Sequence, residues 1–510
     1  MVTSPHTLAS EAGLRVLADG GNAIEAAIAM GGVLAVTYPH FCGLGGDAVW
    51  MVADREGRRD CFLGIGQAAA VPGAFDGPIP VRGPRSAVTS ACLVDSWGHA
   101  LDYAHRHWQG RRSFASLLAD AIGLARDGFA VTPSQAFWLG MRAGETADWP
   151  GFSAVFNVPA GSSFRQPELA RTLETLAAEG PRSFYEGRLG ARIAGGLAAA
   201  GSPLTSEDLQ RTRTRQVEPL SLDYGETTLL APPPPTQGVS TLAIMGILAC
   251  IGGNGVAEGS ANHYHRLVEA VKQAFLERDR IADPDHAAQQ VADWLSPETL
   301  AAKAGRIDRR RAMPWPPVFR TGDTVFLAAT DAEGRSVSLL QSLYFDWGSG
   351  VVAGDTGILW QNRGAAFSTE PGHPNVIAPG KCPFYTLNPG IAVQDGRPSL
   401  LYGTQGADGQ PQTLAAILSR VLDHGLAPAE ALARPRFLLG RTFSDSRDSL
   451  KLEADVDDAV VAELRERGHE LATIPAHSPL AGQAGLIRIG ADGTITGAHD
   501  PRSDGVALGL

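Results

Sequence analysis

Apolar positions early in the chain fall into distinct rhythms. Thr7–Asp19 carries them at 8, 12 and 16, with 14 and 17 alongside, and stops at Gly20-Gly21. This spacing predicts an amphipathic helix closed by glycine. Asn22 can cap a second helix, Ala23–Val36, which is apolar almost all round despite Glu25 and a Gly31-Gly32 pair. A run this short, carrying a charge, reads as a buried helix rather than a membrane span. "PHFCGLGGDAVWMVAD" then reads as a glycine-rich loop feeding a strand. From about Ser86 to Arg310 the pattern is mainly helical, interrupted at "LLAPPPPTQGVSTLAIMGILACI", where the prolines force an extended loop before a helix.

Past Thr324 the rhythm changes to period two. Runs Val325–Ala329 and Ser336–Leu340 flank the turn Asp331-Ala332-Glu333-Gly334, and further hairpin turns fall at Asp395-Gly396 and Asp492-Gly493. Helices are expected between them at Pro411–Asp423 and Asp455–Arg467. Antiparallel strands with interspersed helices predict an α+β fold in stacked layers, with helices outside two sheets.

A chain of 510 residues is long for one hydrophobic core, so two domains or one large layered unit is expected. Its 43 basic against 54 acidic residues give a net charge of −11, and no Lys/Arg-rich run is present. Nucleic acid and anionic membrane are therefore poor partners. The five cysteines, Cys42, Cys61, Cys92, Cys250 and Cys382, are scattered without a CxxC pair and read as buried free thiols. With no basic stretch leading into an apolar one at the start, a cytoplasmic location is expected.

Isolated chemical signals are weak. His263 and His265, like His105 and His107, are two residues apart, which on a helix places them about 200° apart, poor for a shared ion. His469 begins "HEL" without a second histidine, so no metal site is expected. "GTQGADGQPQT", Gly403–Thr413, follows a strand and opens a helix but lacks a nucleotide-binding ending. It reads either as a row of N–H groups able to hold a developing anion, or as an ordinary tight turn. No GxSxG elbow is present, and Thr324 taken locally is a strand residue after a Gly-Asp turn.

Read together, "GGNAIEAAIAM", "YPHFCGLGGDAVWMV", "PPPPTQG", "LVEAVKQAFLERDR", "GSGVVAGDTGILWQNRGAAFS" and "GAHDPRSDG" form an ordered set from His6 to Gly505. The set resembles the landmarks of the γ-glutamyltranspeptidase family. The resemblance implies an N-terminal-nucleophile hydrolase with a four-layer αββα sandwich. It implies a precursor that cuts itself before a threonine, whose new α-amine then serves as its base. That threonine stands seven residues before the Asp of a D-x-x-G turn, which here places it at Thr324, before Asp331. Residues 1–323 would then form a mostly helical large chain contributing strands, and 324–510 the small catalytic chain, released at Asp323-Thr324.

Other positions carry over one at a time. The family's hydroxyl residue eighteen positions on is Ser342, and its oxyanion glycines correspond to Gly406 and Ala407, where a backbone N–H serves as well. The glutamyl pocket departs. No Arg lies between Arg59 and Arg82 to clamp a carboxylate, and Tyr344 replaces an asparagine. Arg363 and Ala366 replace the amine-binding Gln and Asp, and Tyr385-Thr386 replace two serines. Ser90-Ala91-Cys92 replaces a common V-P-G.

These replacements, with "GGDAVW", "WGSGVVAG" and "DPRSDG", are similar to a branch containing oxamate amidohydrolase and certain cephalosporin acylases. That branch implies hydrolysis of a small anionic amide, with Arg363, Tyr344, Tyr385 and Thr386 binding substrate and no metal or organic cofactor. A homodimer of processed αβ units is compatible with it. The rivals are a γ-glutamyltransferase, glutathione hydrolase or acylase with a rebuilt pocket, and an uncut family member that only binds. The V-P-G departure favours the last.

Overall fold

Glu25 explains how a charge enters an otherwise apolar helix. In the computed structural model, which describes residues 1–253, 255–288, 291–315, 323–440 and 448–510, the helix spans Ala23–Thr37 and is buried throughout. Asn22 Oδ1 accepts from Glu25 N and Glu25 Oε2 accepts from Asn22 N, a reciprocal cap. The other carboxylate oxygen accepts from the N–H groups of Arg111 and Arg112, each at 2.8 Å. The charge is thus spent on three backbone donors and one helix end. Gly31 serves close approach: a Cβ there would lie 2.4 Å from Gln341 Oε1.

That helix lies on a seven-stranded antiparallel sheet. Edge to edge the strands are Val506–Leu508, Val2–Ser4, Asp323–Thr330, Ser336–Tyr344, Asp47–Ala53, Arg59–Gly64 and Arg215–Val217. A six-stranded antiparallel sheet runs Ile495–His499, Ala484–Ile489, Arg397–Thr404, Gly390–Gln394, Thr227–Ala231 and Leu220–Tyr224. Alternation along the strands assigns the faces. Trp50, Val52, Leu327 and Leu339 join the core beneath helices Ala23–Thr37 and Phe114–Asp127. Val49, Met51, Phe326 and Leu340 meet Ile391, Leu401 and Ile487 from the other sheet. The outer face of the six-stranded sheet packs on helices Gly238–Ile251, Ala261–Phe275 and Gln410–Leu418. The expected αββα order is present, as one interleaved unit: each sheet contains strands from before and from after Thr324.

Several boundaries differ from the sequence reading. The helical stretch Ser86–Arg310 also contains the strand Arg215–Val217 and the hairpin Leu220–Tyr224/Thr227–Ala231, whose short runs lie beside long helical ones. The helix expected at Pro411–Asp423 is α-helical only over Gln410–Leu418 and widens to a π-turn over Ser419–Asp423. The helix expected at Asp455–Arg467 is Asp458–Glu466, because Asp457 caps it from outside. Cys250, expected to be buried, is exposed at the end of its helix, whereas the other four cysteines are buried. Among the described residues no helix is long and apolar enough to cross a membrane.

Candidate active site

Thr324 is fully buried near the start of a central strand. Opposite it the pairing slips. Gln341 pairs with Val325 and Tyr344 with Asp323, so Ser342 and Leu343 together face Thr324. This β-bulge turns one side chain toward the partner strand and re-aims the next residues. Ser342 Oγ lies 3.3 Å from Thr324 Oγ1, and it accepts from Tyr344 N at 2.7 Å. Tyr344 takes φ +82°, a left-handed conformation that turns its ring into the pocket. From the start of the helix Gln410–Leu418, Gln410 Nε2 donates to Thr324 Oγ1 at 3.4 Å. In the hairpin turn that follows this strand, Asp331 accepts from Glu333 N, Arg335 N and Ala23 N, and so ties the turn to the capped helix.

The loop before Gln410 has the geometry of an anion cradle. Gly406 has φ +125° and Ala407 φ +43°. Among the described residues neither N–H donates to a protein acceptor. Gln237, at the end of "PPPPTQG", holds the loop from behind: its Nε2 donates to Ala407 O and Thr386 O, both at 2.7 Å. Its Oε1 accepts from Arg278 Nε at 3.1 Å. Arg278 pairs with Asp408 and lies over the rings of Phe275 and Phe384. The prolines position Gln237 by pairing the loop with the next wall of the site, Tyr385 N donating to Pro235 O and Gln237 N to Tyr385 O.

Arg363 is fully buried in a short turn, Arg363–Ala366. Its guanidinium lies between two rings, 4.1 Å from the centre of Tyr344 and 4.5 Å from that of Tyr385. Nη1 donates to Thr386 Oγ1 at 3.3 Å, while Nε and Nη2 have no partner among the described residues. Burial pushes its pKa down, opposed by the fields of Tyr385, Tyr344, Asp47 and Asp408. A buried cation with unused donors costs several kcal/mol unless an anion completes it. Arg82, the nearest arginine to the missing carboxylate clamp, is committed elsewhere, to Gly348 O and Asp346.

Behind these rings stands Asp47, which the sequence reading left without a role. Its Oδ1 accepts from Gly66 N at 3.0 Å and Cys92 N at 2.9 Å, and its Oδ2 accepts from the Tyr385 hydroxyl at 2.8 Å. The Tyr385 hydroxyl therefore faces Asp47 rather than a substrate, and its ring supports Arg363. Burial raises the Asp47 carboxyl to about 6, against the opposing pull of Arg363 and these hydrogen bonds. The Ser90-Ala91-Cys92 departure belongs to the same wall. Cys92 N binds Asp47, and Ser90 O accepts from Gln361 Nε2 at 2.6 Å. Gly66 is needed here, since a Cβ would meet Ser90 O at 1.6 Å.

A small cavity of about 50 Å³ opens beside this constellation, lined by Tyr344, Ala366, Phe384, Asp408 and Arg278 among others. All eight residues expected at the site thus fall in one region. Gln410, Gln237, Arg278 and Asp47 join them, each from a stretch quoted in the sequence but none of them assigned a role there.

The paired histidines diverge as their spacing predicts. His263 Nε2 meets Ser419 Oγ at 3.2 Å, and His265 Nδ1 meets His469 Nε2 at 2.8 Å. His265, Glu269 and His469 have ligand atoms within 4.8 Å of one another, a tertiary cluster invisible to spacing rules. Their donors are already used: His265 Nε2 meets Asp308 O, and Glu269 pairs with Lys272 and accepts from Met313 N. An ammonium inside the cluster opposes a cation.

Comparison with known proteins agrees with this architecture. A sequence model described as gamma-glutamyltranspeptidase matches residues 9–510. An oxamate amidohydrolase proenzyme of Klebsiella pneumoniae is 46% identical, the alignment covering 100% of this chain and 98% of that one. A glutathione hydrolase-like proenzyme of Bacillus subtilis is 39% identical over the same shares, 100% and 98%. Among solved structures, a cephalosporin acylase from Bacillus halodurans superposes with a TM-score of 0.91 at 30% identity, covering 99% of this chain and 94% of that one.

Proposed function

The chain belongs to the γ-glutamyltranspeptidase family, an N-terminal-nucleophile amidohydrolase, and we propose that it hydrolyses a small amide whose carboxylate adjoins the scissile carbonyl, as in oxamate. The observation that carries this reading is Arg363: a fully buried guanidinium beside the pocket, with two nitrogens unpartnered and no ion pair among the described residues. A guanidinium matches a carboxylate bidentately. The small cavity favours a small acyl group, and the name of the Klebsiella relative agrees.

The chemistry begins with maturation. Thr324 Oγ attacks the Asp323 carbonyl, the acyl group moves from nitrogen to oxygen, and water hydrolyses the ester to free the α-amine. Ser342 and Gln410 orient the hydroxyl through the contacts at 3.3 and 3.4 Å. In turnover the amine takes the proton from Oγ as it attacks the substrate carbonyl, and passes it to the leaving ammonia. The N–H groups of Gly406 and Ala407 hold the tetrahedral oxyanion, and Gln237 keeps them aimed. Water then releases the diacid from the threonyl ester. A γ-glutamyl group fits less well: no arginine clamps its α-carboxylate, and Arg363 with Ala366 replaces the residues that hold its ammonium. Ammonia release across a panel of oxamate, neutral amides and γ-glutamyl donors tests the assignment. A neutral amide or γ-glutamyl donor outpacing oxamate would overturn it.

A further inference from the structure

The wall behind Arg363 holds an acid that the chemistry above does not use. We propose that Asp47 is a proton-linked counter-ion for the substrate pocket: it balances Arg363 while the pocket is empty, and takes up a proton when a substrate carboxylate replaces it. This deepens the anionic-amide reading and rests on it.

The geometry provides for both protonation states. The Tyr385 hydroxyl has two acceptors in reach, Asp47 Oδ2 at 2.8 Å and Gly66 O at 3.2 Å. With Asp47 ionised, the phenol donates to the carboxylate. With Asp47 protonated at Oδ2, the acid donates to the phenolic oxygen and the phenol donates to Gly66 O. Oδ1 keeps its two backbone donors throughout, Gly66 N and Cys92 N. Asp47 and the Tyr385 hydroxyl stay hydrogen-bonded in both states, so the charge can leave without stranding either group. One proton enters from solvent and forms the O–H bond at Oδ2, and no other covalent bond of the protein changes.

The neighbours single out Asp47 as the group that moves. Facing it are Arg363, Tyr385, Cys92 and Cys382, with the Gln361 amide beside it. Burial pushes Tyr385 and Cys92 well above their ordinary values, and Cys382 to about 12, so none of these ionises near neutrality. Asp47 alone among them sits near neutrality, at about 6, and a second anion on Arg363 drives it higher. In a cut enzyme the Thr324 α-amine also titrates in this range, so the test must separate the two.

Oxalate, the diacid left by oxamate hydrolysis, is a suitable probe because the mature enzyme does not consume it. Calorimetric titration at pH 7 in buffers of differing ionisation enthalpy counts protons exchanged on binding. The wild type should take up most of one proton per oxalate, and its Kd should rise roughly tenfold from pH 6 to pH 8. Asp47→Asn mimics the protonated acid: its amide donates to Tyr385 and its oxygen accepts from Gly66 and Cys92. It should bind oxalate without net uptake at this site, keep a Kd flat within about twofold over the same range, and bind more tightly than wild type at pH 8. Uptake that persists unchanged in the variant would assign the proton to the amine and overturn the proposal. So would buffer-independent binding in the wild type, a result read without any variant. Failure of wild type to bind oxalate at all would instead sink the anionic-amide reading beneath it.

Discussion

Ser342 Oγ lies 3.3 Å from Thr324 Oγ1 because two residues of one strand face a single residue of the next. Strict pairing would send Ser342 and Tyr344 to the same face of the sheet; the bulge instead gives one to the hydroxyl and turns the other over Arg363. The Thr324 hydroxyl and the surroundings of Arg363 are coupled through one register shift.

Purified protein should resolve into two bands split between Asp323 and Thr324, with Thr324→Ala remaining a single chain for want of an attacking hydroxyl. Ser342→Ala should slow the cut by up to about tenfold, the worth of one hydrogen bond. Denaturing gels with N-terminal sequencing of the smaller band read both. A wild type intact after long incubation would favour the uncut, binding-only alternative.

Arg363→Lys should lower kcat/KM for an anionic amide by on the order of tenfold or more, through loss of ~1.5–3 kcal/mol of charge-assisted contact. Maturation should be nearly unaffected and a neutral amide should lose much less. Equal losses on both amides, or a poorly folded variant, would make Arg363 structural.

Glutathione and γ-glutamyl anilides should be turned over at least a hundredfold less efficiently than the best small amide, roughly two charge-assisted contacts being absent. Comparable efficiencies would return the protein to γ-glutamyl chemistry.

Gln237→Ala leaves the carbonyls of Ala407 and Thr386 without their 2.7 Å donor and frees the loop that carries the N–H groups of Gly406 and Ala407, proposed above to hold the oxyanion. Turnover should fall by about tenfold to a hundredfold in kcat, with oxalate affinity changed much less. A rise in KM with kcat intact would place Gln237 in binding instead.

Acid should destabilise the fold from about pH 6.5 downward. Burial lowers His6 and His499 to about 4, and His263 and His469 to about 3. These histidines stay neutral in the fold but bind protons once unfolded, so their contribution is complete above the unfolded value of about 6.5 and is lost as pH falls. Asp47 and Asp331, raised to about 6, act the other way between roughly pH 4 and 6, where the folded state holds more protons. Four groups outweigh two, and Tm should drop between pH 6.5 and 4. A flat or rising Tm there would contradict the burial of these imidazoles.

The sequence made the layers legible because period-two runs around D-x-x-G turns are local signals, whereas Thr324 stood out only through the family resemblance and its interval to Asp331. Arg363 stood out as a cation on a glycine-flanked loop. Asp47 did not, because its partners lie 19, 45 and 338 residues away. Nor could spacing show the bulge, which is a property of two strands together, or the His265–His469 contact across 204 residues. The short hairpin at Leu220–Ala231 was hidden because its apolar runs continue into a proline loop and a buried helix.

The strand that begins at Asp323 is flanked by Val2–Ser4 on one side and Ser336–Tyr344 on the other, and both sheets draw strands from each side of the proposed cut. Severing one peptide bond there would remove almost nothing that holds the molecule together. The two pieces would share both sheets, so neither would have a surface on which to part from the other. A protein cut in this way would need no assembly step and could not be made in unequal amounts of its halves. Its one-to-one stoichiometry would be written into a single reading frame, and dilution, which separates ordinary subunits, would leave it whole.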